Sequence, residues 1–364
     1  MKITRVETLP ITLPVKDDIA IIGSLGAHRT SPYVLVILHT DEGLQGLGEA
    51  TVTAGWSGET QPGSQAILEQ TFQPLLLGRD PFDWEALLEA LDRAAPDNWF
   101  SKAAVEMALL DLVGKKLQVP LYRLLGGACH DRRIPIKFVV GAREPQEAAQ
   151  LAVRFVEAGF DTLKIKVGRD PETDVERVKE VRAAVGEKVR LTVDANGGWS
   201  VADAVRCLRR MEPSHLLLAE QPVHRQDLEG LAEVRRRVGV PIMADEAVFS
   251  LRQALAVLRH RAADIISVYP GKNGGLWKAK QIASVAAQEG VACHVGSNLE
   301  WDIGSAAMAH LAVSTPNIRS DLYPADIIGP LYHADRVVKN PLRIEPGFVE
   351  VPEGSGLGVE LQKG

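Results

Sequence analysis

The sequence predicts an α/β protein, a (β/α)8-type barrel with an N-terminal α+β capping domain that a C-terminal tail completes. Three observations predict this fold. From residue 134 onward, eight short apolar runs alternate with helical stretches, and each repeat is about one βα unit long. Before residue 134 the chain has strand patterns and then helix patterns, and residues 324–364 have no helical pattern. A chain of 364 residues has room for this arrangement, since one domain takes about 100–200 residues.

The first hundred residues predict a three-stranded antiparallel meander followed by helices. Residues 1–13 alternate between apolar and polar, 33–40 are apolar, and a turn at 41–43 leads into a third strand at 44–51. Apolar spacing near 3.6 residues predicts three helices, with Ser101 as the N-cap of the third. These helices cover 65–76, 82–94 and 101–117.

The barrel strands follow from the eight apolar runs. They cover 134–140, 162–167, 189–194, 215–219, 240–244, 264–268, 291–295 and about 317–321. The eighth run is weak because Pro316 interrupts it. The predicted division is therefore a capping domain at 1–126, a barrel at 127–323, and a tail at 324–364 that returns to the capping domain.

Composition excludes several classes of partner. Charged residues make up 24% of the chain and the net charge is only −6, so neither nucleic acid nor an anionic membrane is an expected partner. No apolar run approaches the roughly 20 residues of a membrane helix, and the N-terminus has no signal-peptide pattern. The three widely spaced cysteines, Cys129, Cys207 and Cys293, suit a reducing cytoplasm better than a disulfide framework.

Charged residues end four successive strands of the predicted barrel. Lys164 and Lys166 end the second strand, and Asp194, Glu220 and Asp245 end the third, fourth and fifth. In a parallel barrel all strand C-termini open on one face, so these side chains are expected to converge at the barrel mouth. The spacing of two places both lysines on the same side of their strand.

Three carboxylates on neighbouring strand ends form an all-oxygen site that suits a hard divalent ion, Mg²⁺ first and Mn²⁺ as the alternative. A lysine beside a bound cation is expected to have a lowered pKa and to act as a base. A base beside a metal-held carboxylate fits abstraction of the α-proton of a carboxylic acid through a metal-stabilised enolate.

The order and spacing of six motifs resemble the muconate lactonizing enzyme subgroup of the enolase superfamily, in the mandelate racemase/muconate lactonizing enzyme family. The motifs are Lys164-Ile165-Lys166, Asp194-Ala195-Asn196, Glu220-Gln221-Pro222, Asp245-Glu246, Lys272-Asn273-Gly274-Gly275 and Asn298-Leu299-Glu300. The resemblance covers nearly the whole chain. It implies Asp194, Glu220 and Asp245 as Mg²⁺ ligands, Lys166 as the principal acid/base, and Lys164 as an electrostatic assistant at the substrate carboxylate.

One position departs from the family pattern. The sixth strand of these enzymes usually carries a second catalytic lysine on the opposite face of the substrate, and here that place is Tyr269. Lys272 matches a different family lysine, and His294 precedes the place where other racemases carry a histidine. A phenol with a pKa of about 10 is a poor acid at neutral pH, so one-base chemistry on Lys166 is the prediction.

Substrate specificity is expected in two glycine-bearing loops of the capping domain, 16–31 and 53–63, which are expected to close over the barrel mouth. Relatives that act on dipeptides carry an Asp-x-Asp pair at the eighth strand, and the corresponding segment here is read as Arg319-Ser320-Asp321, which disfavours an α-amino substrate. The predicted substrate-binding residues are Tyr269, Lys272, His294, Asn298, Glu300, Arg319, Asp321, Trp56 and Arg29, and His28 and Glu59 are weaker candidates.

The predicted function is that of an Mg²⁺-dependent isomerase or lyase with a small carboxylic acid as its partner, most simply a one-base cycloisomerase or a β-elimination enzyme (dehydratase). Two alternatives stay open. A racemase or epimerase of a carboxylic acid or acylamino acid would need an acid on the far face, and a non-catalytic anion-binding barrel would explain the loss of the far-face lysine. By resemblance, a homo-oligomer is expected.

Overall fold

The N-terminal region is built on an antiparallel sheet in the order β1-β4-β5, as the meander pattern predicts. The structure, a computed structural model, describes residues 1–362; the last two residues of the predicted tail, 363–364, lie outside it. The strands of this region are β1 (Ile3–Pro14), β2 (Ile21–Gly23), β3 (Gly26–His28), β4 (Thr30–Thr40) and β5 (Gln45–Thr51). Its helices are α1 (Ala54–Ser57), α2 (Gln61–Ile67), α3 (Gln73–Leu76), α4 (Trp84–Ala94), α5 (Trp99–Leu117) and α6 (Leu121–Leu124).

Helix α5 packs directly on strand β5 and is buried along almost its whole length. Gly46 and Gly48 permit this close approach: a Cβ atom at Gly48 would lie 1.8 Å from the carbonyl oxygen of Ala104, and one at Gly46 would lie 2.1 Å from that of Ala108. The absence of side chains at these two positions therefore sets the distance between the sheet and the helix.

Two helix boundaries differ from the sequence prediction. The helix predicted at 65–76 begins at Gln61 and runs through a π-helical turn at Leu68–Phe72 into α3. Helix α5 begins at Trp99, so Ser101 lies in its first turn and is not its N-cap. The backbone N–H of Ser101 and its hydroxyl both donate to the carboxylate of Glu59, at 3.1 and 2.8 Å.

Seven parallel strands follow in the order β7 to β13, which confirms the predicted barrel architecture. They are β7 (Phe138–Val140), β8 (Thr162–Lys166), β9 (Arg190–Asp194), β10 (Leu216–Glu220), β11 (Ile242–Ala244), β12 (Ile265–Val268) and β13 (Ala292–Val295); β6 (Arg133–Pro135) precedes them. The helices are α7 (Pro145–Glu157), α8 (Pro171–Val185), α9 (Val201–Met211), α10 (Leu228–Arg237), α11 (Leu251–Arg259), α12 (Pro270–Asn273), α13 (Leu276–Gln288) and α14 (Asp302–Ser314).

The eighth strand is reduced to two isolated parallel bridges. Ile318 pairs with Cys293 on β13, and Ala325 pairs with Ile136 beside β7. An irregular segment between these bridges closes the barrel, which fits the weak strand pattern around Pro316. The exit of the eighth position therefore lies at Asp326, five residues beyond the predicted end at 321.

The C-terminal tail contributes β14 (Ile344–Glu345) and β15 (Phe348–Glu350), which form a small antiparallel sheet with β6. Further along, the backbone of Leu121 donates to Gly356 at 2.7 Å, and that of Leu357 donates to Asp111 of α5 at 2.8 Å. The tail thus contacts both the barrel and the N-terminal region.

Two buried carboxylates of the N-terminal region cap helices of the barrel. Glu49 on β5 accepts backbone N–H groups at the start of α14, including Trp301 at 2.6 Å and Gly304 at 3.0 Å. Glu106 on α5 accepts the N–H groups of Leu276 and Trp277 at the start of α13. These contacts satisfy backbone donors that a helix N-terminus leaves free.

None of the helices within residues 1–362 is long and apolar enough to cross a bilayer.

Candidate active site

A cavity of about 270 Å³ opens at the carboxyl ends of the barrel strands. All five charged residues that the sequence places at strand ends line it: Lys164, Lys166, Asp194, Glu220 and Asp245. The loop predicted at 16–31, which contains the β2–β3 hairpin, also lines the cavity, and so do Thr53, Gly55 and Trp56 from the second predicted loop.

Strand register brings the charged groups together. Lys166 on β8 lies opposite Asp194 on β9, and Asp194 lies opposite Glu220 on β10. The chain turns sharply after each carboxylate, with φ of 43° at Asn196 and 36° at Gln221. The side-chain oxygen of Gln221 accepts the backbone N–H of Asp245 at 3.0 Å, so the Glu-Gln pair on β10 also positions the third carboxylate.

Lys166 stands in a hydrogen-bonded chain that reaches the second loop. Its Nζ donates to Oδ2 of Asp194 at 2.6 Å and to Oδ1 of Asn196 at 2.8 Å. The amide of Asn196 donates to Glu246 at 2.7 Å, and the indole N–H of Trp56 donates to the same oxygen at 2.9 Å. Glu246 therefore orients Lys166 through Asn196 and makes no direct contact with it.

Lys164 is buried and surrounded by carboxylates. Its Nζ lies 2.7 Å from Asp326, 3.0 Å from Glu220 and 3.6 Å from Asp194. Burial would lower the pKa of Lys164, but these three carboxylates outweigh burial and hold the pKa well above its usual value. The lowered pKa that the sequence predicts for a lysine beside a bound cation stays a prediction.

The carboxylates at the site influence one another. Burial and the nearby charge of Asp194 raise the pKa of Glu220 to about 8. For Asp194 burial acts in the same direction, yet Lys166 and Lys164 outweigh it and lower its pKa. A group of buried carboxylates that influence one another in this way is electrostatically suited to an additional cation.

The donor chemistry fits a hard divalent ion, since Asp194, Glu220 and Asp245 supply only oxygen ligands. As placed, however, no three His, Cys, Asp or Glu side chains among residues 1–362 converge closely enough to hold an ion. Lys164 contacts Asp194 and Glu220, and Lys272 contacts Asp245 at 2.7 Å. An ion at these carboxylates would have to compete with the ammonium groups.

The far side of the cavity presents no free lysine within the described residues. The Nζ of Lys272 is fully buried and donates to Asp245 Oδ1, to the Asp245 carbonyl at 2.9 Å and to the Ser267 carbonyl at 2.8 Å. Tyr269 is fully buried, and its hydroxyl has no hydrogen-bond partner. Burial and nearby carboxylates, Asp245 first, raise the pKa of Tyr269 well above its usual value. Neither residue lines the cavity, although both are predicted substrate contacts.

A buried cluster beneath the mouth is not among the residues that the sequence predicts as a group. Asp326 joins Lys164 to Lys137, whose Nζ lies 3.0 Å from Asp326 and 2.5 Å from Nε2 of His294. His294 is thus a buried, hydrogen-bonded histidine that does not line the cavity, and burial lowers its pKa well below the usual value. One signal was available: Lys137 is the only charged residue in the apolar run at 134–140.

Several predicted loop contacts lie away from the cavity. Arg29 is exposed and 3.5 Å from Asp17, while the half-buried Arg319 and the exposed Asp321 are paired with each other at 2.7 Å. Glu300 is buried but binds its own loop, accepting the backbone N–H of Asn298 at 2.9 Å. Glu59, the weaker candidate, binds the first turn of α5.

Three predicted contacts do line the cavity: Trp56, Asn298 and His28. The amide of Asn298 donates to the Thr51 carbonyl at 2.9 Å, which ties the loop after β13 to the N-terminal region. Burial lowers the pKa of His28 to about 4, so its imidazole is neutral at pH 7.

At the eighth barrel position, Asp326 and Ile328 line the cavity, and Arg319 and Asp321 do not. The segment that corresponds to the Asp-x-Asp pair is therefore Asp326-Ile327-Ile328, and the predicted Arg319-Ser320-Asp321 is wrong. Only the first of these two positions is acidic, and Asp326 is already paired with Lys164 and Lys137.

Two family models together match most of the chain. The N-terminal domain of mandelate racemase / muconate lactonizing enzyme matches residues 7–126, and the enolase C-terminal domain-like model matches residues 147–364.

Individual relatives include both epimerases and cycloisomerases. The chain is 37% identical to L-Ala-D/L-Glu epimerase of Bacillus subtilis, over 99% of this chain and 97% of that protein. It is 36% identical to muconate cycloisomerase 1 of Rhodococcus opacus, over 91% and 88%. A solved dipeptide epimerase from Enterococcus faecalis, complexed with Mg and the dipeptide L-Leu-L-Tyr, has a TM-score of 0.93 and 35% identity, with 99% of both chains covered.

Proposed function

Because the chain belongs to the mandelate racemase/muconate lactonizing enzyme family of the enolase superfamily, we propose that it is an Mg²⁺-dependent enzyme that moves the α-proton of a carboxylic acid on one face of the substrate. The reaction class is one-base cycloisomerization or β-elimination. Both reactions pass through an enolate. In cycloisomerization the oxygen bonded to the β-carbon stays part of the same molecule, whereas in β-elimination it leaves as a separate molecule.

A single observation supports one-base chemistry: the lysines at the cavity all come from one strand. Lys164 and Lys166 project from β8 into the cavity, while the sixth-strand position is the buried Tyr269. Lys272, the nearest lysine on that side, is held by Asp245 and two backbone carbonyls. A proton on the opposite face therefore has no lysine to receive it.

Lys166 is the proposed base, oriented by Asp194 and Asn196. It takes the α-proton while the C–H electron pair moves into the enolate, and the β-carbon–oxygen bond then breaks with its electron pair on oxygen. The lysine, now an ammonium, lies on the same face and returns its proton to the departing oxygen. In the ring-closing direction an internal oxygen adds to the β-carbon, and Lys166 delivers a proton to the α-carbon.

Asp194, Glu220 and Asp245 would hold the divalent ion, and Lys164 would lie beside the substrate carboxylate. When bound, the ion supplies positive charge that stabilises the negative charge developing on the carboxylate oxygens. The chain buries these three carboxylates at the ends of neighbouring strands, and Gln221 fixes the backbone of the third.

Solvent exchange of the α-proton tests the proposal. With Mg²⁺ present, a carboxylic-acid library in D₂O should show deuterium at the α-carbon of a substrate, and NMR of a chiral product should place it on one face only. Equal exchange into both enantiomers would contradict the one-base proposal, and exchange with no acid in the library would contradict the chemistry as a whole.

An epimerase is the second candidate, favoured by the similarity to L-Ala-D/L-Glu epimerase. It would require an acid on the far face of the substrate. Tyr269 occupies the sixth-strand position of the second catalytic lysine, and its hydroxyl has no hydrogen-bond partner. If exchange occurs in both enantiomers, Tyr269→Phe should abolish it for one enantiomer only.

The broader assignments are part of the same proposal. We propose that residues 1–126 form the capping domain, 127–323 the barrel and 324–364 the returning tail, supported by pairing of β15 with β6. A reducing cytoplasm is supported by three unpaired cysteines, two of them buried. A homo-oligomer, to be measured by light scattering, stays a prediction.

A further inference from the structure

We infer that the substrate is a monocarboxylic acid whose remainder is uncharged and mainly apolar. The inference rests on the proposed function and names its substrate class. It comes from the way charge is distributed around the cavity, which is uneven from one side of the barrel to the other.

Around the barrel mouth, every charged strand end that lines the cavity, apart from Asp326, lies on one arc. That arc runs over β8, β9, β10 and β11, which carry Lys164, Lys166, Asp194, Glu220 and Asp245. The opposite arc comprises β7, the loop after β13 and the eighth position, and it presents Val139, Leu299 and Ile328. A substrate carboxylate therefore binds on the first arc, and the rest of the molecule lies against the second.

Asp326 and Asn298, the acidic and amide side chains on the apolar arc, already have partners. Asp326 has Lys164 and Lys137 as ion-pair partners at 2.7 and 3.0 Å. Asn298 donates to the Thr51 carbonyl and to Thr53, at 2.9 and 3.1 Å. Neither of these two side chains is left free to pair with a charge on the substrate.

The lid above the cavity is apolar as well. The β2–β3 hairpin contributes Ile21, Leu25 and Ala27 to the lining, and its one titratable contact, His28, is neutral at pH 7. Arg29, which follows His28 in the sequence, is exposed, lies outside the cavity and pairs with Asp17.

A second charge on the substrate would thus be buried without a partner. Burying an unpaired carboxylate or ammonium is strongly unfavourable, whereas burying apolar substrate surface against this arc is favourable. Both a dicarboxylate such as muconate and a zwitterionic dipeptide carry such a second charge, so neither matches the described lining.

Binding to the Mg²⁺-loaded full chain tests the inference directly. Isothermal titration calorimetry would compare 3-phenylpropanoate, cis,cis-muconate and the dipeptide L-Ala-L-Phe. We expect 3-phenylpropanoate to bind at least tenfold more tightly than either of the others. Equal or tighter binding of muconate or the dipeptide, or no binding of 3-phenylpropanoate, would overturn the inference.

The α-proton exchange assay separates this inference from the proposed function. Exchange confined to a dicarboxylate or a dipeptide would retain the function and overturn the substrate class. Tight binding of 3-phenylpropanoate without exchange in any acid would retain the substrate class and overturn the function.

A charge introduced on the apolar arc should reverse the preference. Ile328→Asp is expected to weaken 3-phenylpropanoate binding at least tenfold and to tighten dipeptide binding, while Ile328→Leu keeps the original order. Because Ile328 is buried, a charge there could also destabilise the fold. Leu25→Asp on the exposed β2–β3 hairpin is a second variant that adds no charge to the core, and it should change the two affinities in the same direction. An unchanged order of affinities in both aspartate variants would contradict the assignment of this arc.

Discussion

Lys166 and Asp194 lie opposite each other on β8 and β9, and their Nζ and Oδ2 atoms are 2.6 Å apart. The proposed base therefore donates a hydrogen bond directly to the carboxylate of a proposed metal ligand. A metal ion and the lysine ammonium would attract the same oxygen, so the occupancy of the metal site and the position of the base are coupled.

Removing Lys166 should separate catalysis from metal binding. Lys166→Ala should reduce α-proton exchange and turnover by more than about 10²–10⁴-fold, since no other base is proposed on that face. It should not weaken Mg²⁺ binding, because it removes a competing cation from Asp194. Steady-state kinetics, NMR exchange and calorimetry measure the three quantities.

Lys164 provides the matched comparison. Lys164→Ala should affect both KM and kcat by removing a positive charge beside the substrate carboxylate, and Lys164→Arg should recover part of the loss. If Lys166→Ala keeps exchange while Lys164→Ala loses it, the two roles are reversed.

Each proposed metal ligand should contribute to Mg²⁺ affinity. Treatment with EDTA should abolish turnover, and Asp194→Asn, Glu220→Gln and Asp245→Asn should each weaken Mg²⁺ binding by more than about tenfold, or ~1.4 kcal/mol. Asp321→Asn is the control, since Asp321 is exposed and paired with Arg319 outside the cavity. Wild-type affinity in all three variants would place the metal elsewhere.

Glu106 should make stability depend on pH. Burial raises its pKa to about 7, from 4.5 for the unperturbed group, so the folded protein binds this proton more tightly than the unfolded chain. This contribution is full below about pH 4.5 and is lost as the pH rises through about 7, a change of at most roughly 3 kcal/mol. Urea unfolding at pH 5 and pH 8 should show a smaller loss for Glu106→Gln than for the wild type.

The control for this measurement is Glu353→Gln, which removes an exposed carboxylate. It should lose stability between the two pH values as the wild type does. Parallel behaviour of all three proteins would rule out Glu106 as a source of the pH dependence.

Gly48 should tolerate no side chain. A Cβ atom there would lie 1.8 Å from the Ala104 carbonyl of α5, so Gly48→Ala forces the sheet and helix apart and should cost about 1–3 kcal/mol. Gly239→Ala is the control, because a Cβ atom at that position meets nothing within 4 Å. Thermal unfolding compares the two, and an unchanged Tm for Gly48→Ala would contradict the close packing described for α5.

Strand periodicity predicted the seven regular barrel strands and the five charged groups that converge at their ends. Each of those groups lies within or directly after a clear apolar run, so the parallel-barrel rule is enough to place it. The eighth position was misplaced because it forms only the two bridges at Ile318 and Ala325, and no apolar run marks its exit. The predicted strand therefore ends at Asp321 and does not reach Asp326.

Contacts that depend on tertiary packing could not be predicted in the same way. The sequence gives no local sign that Glu59 binds the first turn of α5, about forty residues later, or that Glu300 binds its own loop. Lys272 presented a similar difficulty: its motif is visible, but only the folded chain shows its ammonium on Asp245 and two carbonyls.

The helix caps supplied by Glu49 and Glu106 limit how this protein can be recombined with its relatives. A chimera that grafts a foreign N-terminal half onto this barrel would leave the first turns of α13 and α14 without acceptors unless the donor half carries carboxylates at both places. Specificity is therefore better transplanted through the β2–β3 hairpin alone, which lines the cavity and contains neither cap.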